Sequence, residues 1–232
     1  MPRSGAAGGL QCFNPGFVSL TSVHQNPERR VAHLEFFFDC SSPWTYLAFA
    51  RLEGMRARST ATIAWRPILV GGVFNAVNQD VYARRANPDS RKQAYYEKDL
   101  QDWARLAGIR IGKPDVFPVR AVAAMRCVIA AAEDGLLVEF AREVFEAYWG
   151  RLEDISRDEV LVDVARRAGI DGERLLARSR MPPVKARLRE NTDELVGRGG
   201  FGSPTFFVNR DDMYFGNDRL PLVEAALAAD AN

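Results

Sequence analysis

Cysteine and histidine are scarce in this 232-residue chain, with three of the first (Cys12, Cys40, Cys127) and two of the second (His24, His33). Three thiols cannot all pair within one chain, and no CxxC, CxxC-H or Cys/His cluster occurs. A disulfide framework and a metal site are therefore not expected. An excess of charge is missing too: 31 Lys and Arg face 30 Asp and Glu, a net charge of +1. Proteins that bind nucleic acid through bulk charge carry a clear basic surplus, so that class is set aside. No apolar run approaches the roughly 20 residues of a bilayer span, and no membrane segment is expected. What is present is 47% hydrophobic residues, enough at this length to bury a core without staples. The composition fits a cytoplasmic globular protein with one large domain, or a small one carrying an insertion.

Residues 1–30 are rich in Gly, Ser, Asn and Pro, follow no sustained period, and lack the continuous apolar stretch of a secretory signal. They are read as a flexible N-terminal extension holding Cys12. Order is expected from Val31. The short aromatic run His33 to Asp39 predicts a buried strand. Pro43 suits the first position of a helix over Trp44 to Glu53, where Leu47, Ala48 and Leu52 recur at helical spacing. Ala61 to Ile68 predicts a second strand, which Pro67 places at a sheet edge or a strand end. From Ser90 to Val196 helical periodicity takes over, in stretches 94–106, 120–132, 136–148, 158–168 and 183–196. Gly108, Gly135, Ser156, Gly169 and the Pro182-Pro183 pair separate them. Strand signals return at Thr205 to Val208 and Met213 to Phe215, which predict a hairpin. A last helix is expected over 219–229, capped by Asn217 or Asp218. The order βαβ, helical block, ββα predicts an α/β fold in which helices interrupt one small sheet.

Three segments can carry chemistry. Ser42-Pro43 can be a simple helix cap. It also places a hydroxyl where free N–H groups and the positive end of a helix dipole favour an anion such as a thiolate. Phe201-Gly-Ser-Pro-Thr205 can be an ordinary turn into a strand, or a cis Pro204 that offers the backbone of Ser203 to an extended ligand. Phe215-Gly-Asn-Asp-Arg219 can be a turn and cap, or a second anion-friendly helix start with the Asp218 carboxylate beside it.

Together, Phe-Phe-Phe-Asp-x-x-Ser-Pro-Trp-Thr-Tyr-Leu-Ala at 36–48, Trp65-Arg66-Pro67 running into Gly71-Gly72-Val73-Phe74, Phe-Gly-Ser-Pro-Thr-Phe-Phe-Val at 201–208 and Tyr-Phe-Gly-Asn-Asp-Arg-Leu at 214–220 resemble one family. This is the 2-hydroxychromene-2-carboxylate isomerase family, kin of kappa-class glutathione transferases and of thioredoxin-fold disulfide oxidoreductases. The resemblance implies a thioredoxin fold with an all-helical insertion between its βαβ and ββα halves. Residues 31–89 and 199–232 would form the thioredoxin-like domain and 90–198 the insertion. It implies glutathione as the bound cosubstrate, with Ser42 holding and activating the sulfur. Ser203, beside a cis Pro204, would pair with the cysteinyl backbone, and Phe215, Gly216, Asn217 and Asp218 would take the γ-glutamyl end. In the disulfide oxidoreductases cysteines occupy the places of Ser42 and Thr45. This chain has neither, so dithiol exchange through that motif is chemically closed to it.

Cys40 is expected to be a small buried residue at a strand end. Phe74, Asn87 and Phe117 are expected to meet an aromatic substrate. Family members set a basic residue for the substrate carboxylate near the position of Phe74, and here Arg66, Arg84 and Arg85 are the cations that can replace it. The activity implied is isomerisation by reversible thiolate addition to a conjugated aromatic carbonyl compound, in aromatic catabolism. Kappa-like glutathione transfer and non-catalytic glutathione or peptide binding are the alternatives. Relatives are often dimers, which makes a homodimer part of the expectation.

Overall fold

Side-chain alternation assigns the two faces of the first strand. β1 (His33–Phe38) sends Leu34, Phe36 and Phe38 into the main core and Phe37 into a smaller core on the other face, as a pleated strand must. The structure, a computed structural model, describes residues 32–56 and 61–230. The expected N-terminal extension, Cys12 and His24 lie outside the described residues. β1 runs through helix α1 (Pro43–Arg56) into a parallel partner, β2 (Thr62–Pro67). On its other edge β1 pairs antiparallel with β3 (Thr205–Val208), which forms a hairpin with β4 (Asp212–Phe215), giving the order β2-β1-β3-β4. Pro67 closes the edge strand β2, where its missing N–H removes no interior ladder bond. Phe36 stacks between Phe206 and Phe38 at 5.1 and 5.2 Å, and Trp65 meets it edge-on at 5.6 Å. Each such pair adds about 1 kcal/mol to the burial of the rings.

Between β2 and β3 stand α2 (Val70–Val77), α3 (Asp80–Ala86), α4 (Ser90–Ala107), α5 (Val122–Ala130), α6 (Leu137–Phe145), α7 (Asp158–Arg167), α8 (Gly172–Ser179) and α9 (Pro182–Gly197). α10 (Leu220–Asp230) follows β4. This is the α/β thioredoxin-like arrangement with helices between its two halves.

Four local expectations need correction. The stretch after β2, for which no element was expected, forms α2 and α3. Val70 and Val73 bury one face of α2, and Gly72 lets it approach α9, since a Cβ there would lie 3.2 Å from the Thr192 methyl. α8 was not foreseen because its eight residues make barely two turns; Asp171 caps it by accepting the Arg174 N–H at 3.1 Å. The segment expected as one helix over 136–148 is α6 followed by a π-helical turn, Glu146–Gly150. Asn217 and Asp218 do not cap the final helix with their side chains. They lie in a 3₁₀ turn, Asn217–Arg219, that leads into it.

The β3–β4 turn holds two non-glycine residues in the left-handed region, Asn209 at φ 47° and Arg210 at φ 87°. Asn tolerates this through local hydrogen bonding, whereas Arg carries the Cβ penalty of roughly 1 kcal/mol. Arg210→Gly should therefore stabilise the chain by up to about 1 kcal/mol, a rise of roughly 2–4 °C in Tm for a domain of this size. A thermal melt showing a lower Tm would contradict the argument.

Candidate active site

Asp39 follows β1 with its carboxylate fully buried. Its Oδ1 accepts the Ser41 N–H and hydroxyl, each at 2.8 Å, and its Oδ2 accepts the Val70 N–H at 2.8 Å, at the first residue of α2. Burial raises its pKa against the pull of these donors. The folded chain thus binds this proton more tightly than the unfolded chain. The cost of burying the charge applies at neutral pH, shrinks as pH falls below the raised value and is gone below the ordinary one.

Ser42 caps α1: its Oγ accepts the Thr45 N–H at 3.3 Å and its carbonyl accepts the Tyr46 N–H at 3.1 Å. The hydroxyl proton has only a long contact, 3.5 Å, with the Ser203 carbonyl. It is free to turn toward an anion at the helix N-terminus, where the first turn holds no acidic residue. Ser203 points its own hydroxyl inward. That Oγ accepts the Asp39 N–H at 3.2 Å and bonds the Thr45 hydroxyl at 2.8 Å. The Ser203–Pro204 peptide is cis, as expected. The carbonyl of Ser203 faces Ser42, and its N–H has no partner among the described residues.

Ser42 and Ser203 line one wall of a cavity of about 650 Å³. Trp44, Phe74, Tyr82, Tyr96, Phe117 and Phe215 give it aromatic walls, and Arg84, Arg85 and Arg120 give it cations. The Arg85 guanidinium lies 5.5 Å from the centre of the Phe74 ring and 5.8 Å from that of Phe117. Among the described residues no carboxylate pairs with any of these three arginines. Arg66, by contrast, is spent elsewhere: it binds Glu35 at 3.2 Å and Glu194 at 3.0 Å. Asn87 is not among the cavity residues; it ends α3, its N–H bonded to the Ala83 carbonyl at 3.1 Å.

Gly216, Asn217 and Asp218 follow Phe215 just past the cavity wall. Gly216 has φ 106°, and a Cβ there would lie 2.6 Å from Asp218 Oδ1, so the Asp218 side chain folds across a position that favours glycine. Asp218 also pairs with Arg219 at 3.2 Å. Asn217 is buried, its carbonyl accepting from Arg51 at 3.0 Å, while its Nδ2 has no partner. The open groups on the cavity wall are donors, the Ser42 hydroxyl and the Ser203 N–H, with the unpartnered Asn217 amide buried beside the cavity. They fit a peptide-like ligand that presents a thiolate, carbonyls and carboxylates.

Cys40 is enclosed. Its N–H meets Met125 Sδ at 3.3 Å and its carbonyl accepts from Trp149 Nε1 at 2.9 Å. Burial, and then the neighbouring Asp39, push its thiol well above the ordinary cysteine range. Sequence reasoning missed the positioning roles of Asp39 and Thr45, and it missed Trp44, Tyr82 and Tyr96 as cavity walls. The only signal for Asp39 was a carboxylate at the end of an aromatic strand.

A capped α1 beside an inward serine and a cis proline, on a four-stranded mixed sheet, defines a thioredoxin-like protein, and the chain belongs to the DSBA-like thioredoxin domain family, which matches residues 33–228. Within it, the chain is 30% identical over 198 residues to a 2-hydroxychromene-2-carboxylate isomerase of Pseudomonas putida, covering 84% of this chain and 93% of that one. It is 29% identical over 215 residues to glutathione S-transferase kappa 2 of Caenorhabditis elegans, covering 87% and 93%. A solved 2-hydroxychromene-2-carboxylate isomerase superposes with a TM-score of 0.74 at 27% identity, over 85% of this chain and 95% of that one.

Burial predicts that neither described cysteine behaves as a reactive thiol. The Cys127 pKa is pushed up to about 11, chiefly by desolvation, which leaves about one thiolate in a thousand at pH 8. Peptide mapping after iodoacetamide treatment of the native protein should show Cys40 and Cys127 unmodified until denaturant is added. Rapid alkylation of Cys40 in the native state would reopen a cysteine-based mechanism.

Proposed function

We propose that this protein is a glutathione-dependent isomerase or transferase whose electrophile is an aromatic or conjugated carbonyl compound bearing an anionic group. The observation that carries the proposal is the Ser42 hydroxyl: weakly engaged, at the N-terminus of α1, on the wall of an aromatic cavity, with Cys40 sealed away. The relatives with this architecture are named as isomerases and kappa transferases, which supports the same reading. Bound glutathione would supply a thiolate that adds to the conjugated carbon, allows rotation about the resulting single bond and is then eliminated, or remains attached as a conjugate.

The chain's own groups have separate tasks. Ser42 donates to the sulfur and holds it in the anionic form, assisted by the α1 dipole. Ser203 offers its N–H and carbonyl to the peptide backbone of the ligand, and Asn217 and Asp218 receive its γ-glutamyl end. Phe74, Phe117 and Phe215 sandwich the planar electrophile and exclude water. Arg85, steadied over two rings, meets its negative charge. A glutathione-rich cytoplasm is the compartment that suits this chemistry.

Calorimetry with glutathione, followed by assays on a chromene carboxylate and on a neutral aryl halide, tests the proposal. Ser42→Ala should cost about 1 kcal/mol of stability through the lost cap. It should lower kcat by roughly a hundredfold, the usual effect of removing a donor from a developing anion. Full turnover by that variant would sink the assignment, and binding without turnover in the wild type would leave a binding protein instead. Arg85→Gln should raise KM about tenfold for the carboxylate substrate, the worth of one charge-assisted hydrogen bond. The aryl halide should be unaffected, and equal losses on both substrates would remove Arg85 from the role.

A further inference from the structure

On the far side of α2 from the Ser42 cavity lies a second cavity, of about 810 Å³, between α2, α5 and α9. Leu69, Gly72 and Val122 are shared by both. Its cations come from other elements than those of the first. Arg126 comes from α5, while Lys185 and Arg189, one helical turn apart, come from α9. Arg126 Nε is buried and has no hydrogen-bond acceptor, a rare condition for a buried donor.

The arrangement on α9 sharpens the contrast. Arg187 and Arg198 of that region pair with Glu190 and with Glu194 and Glu35. Lys185 and Arg189 face the cavity without a carboxylate partner among the described residues. Asp193 is the one acid in the lining, set against three cations. Leu188 and Val196 complete an apolar flank.

We propose that this groove binds a small organic anion carrying at least two negative charges, with its oxyanion on Arg126, Lys185 and Arg189 and its apolar body against α2 and Val122. An arginine presents paired N–H donors to a planar or tetrahedral oxyanion, and the volume lies within the range of small-ligand sites. The proposal does not depend on the glutathione reading, because no residue that carries the charge belongs to the Ser42 cavity.

Calorimetry on the full chain at about 0.15 M salt, with pyrophosphate and with citrate as probes, tests it. Saturable binding of one probe per chain is expected. The tighter of the two tells whether the site takes phosphates or carboxylates. Arg126→Gln and Arg189→Gln should each weaken that binding about tenfold or more, and Ser42→Ala should leave it unchanged. The exposed positions Lys185 and Arg189 keep the test valid if Arg126→Gln fails to fold. The proposal is overturned if neither probe binds at millimolar concentration, or if Arg189→Gln and Lys185→Gln bind as the wild type does. Loss of probe binding in Ser42→Ala would assign the anion to the first cavity and overturn the second site.

Discussion

Three chain segments that lie far apart in sequence are held together by one hydroxyl. Ser203 Oγ receives the main-chain N–H at the end of β1 and bonds the side chain of Thr45 in the first turn of α1. Both partners are fully buried, so the bonds form in a low dielectric where an unpaired group would cost about 1–3 kcal/mol. The consequence is geometric. The strand end, the helix start and the turn before β3 keep fixed positions, and the Ser42 hydroxyl and the Ser203 backbone face each other because of it. Thr45 serves in this frame as a strut between α1 and the turn before β3.

Asp39 extends the same knot to α2. Its carboxylate accepts from Ser41 on one side and from Val70 on the other, so the helix that carries Phe74 is tethered to the loop that carries Ser42. The aromatic wall and the wall that bears Ser42 are thereby tied to one frame. The opposite face of the sheet is treated differently. There Glu35, Arg66, Glu194 and Arg198 form a charged network over Phe37 and Phe207. Burial would raise the Glu35 pKa, but Arg198 and Arg66 outweigh it and hold the carboxyl below its usual value.

The sheet was legible in the sequence because short aromatic runs bounded by Ser, Pro and Gly leave little choice of structure. Pro67 announced its edge, and Ser42-Pro43 announced a helix start. Ser42, Ser203 and Phe215, which line one cavity, were legible as candidates because each sits where an element begins or ends. α2 was hidden by Gly71-Gly72, a pair that speaks for a loop until α9 is known to pack against it. Thr45 and Asp39 were hidden for a different reason. Their roles depend on Ser203 and Val70, partners 158 and 31 residues away, and no local pattern encodes such distances. The division of labour among the arginines was hidden as well, since only the fold shows that Arg66 is neutralised while Arg85 is not.

The main chain of Cys40 is gripped by two side chains of the helical part, Met125 from α5 and Trp149 from the π-helical turn, and Tyr46 of α1 donates to Glu146 in that same turn at 2.7 Å. The loop bearing Ser42 is therefore bolted to the helices as firmly as to the sheet. Parting the two like jaws would break these bonds to the loop. Phe117 and Tyr82 are exposed rings of the cavity lining, and Tyr82 is steadied by its bond to Asn75 at 2.8 Å. The width of the cavity therefore varies with exposed side-chain rotamers such as that of Phe117, on the picosecond to nanosecond scale, while its frame stays fixed.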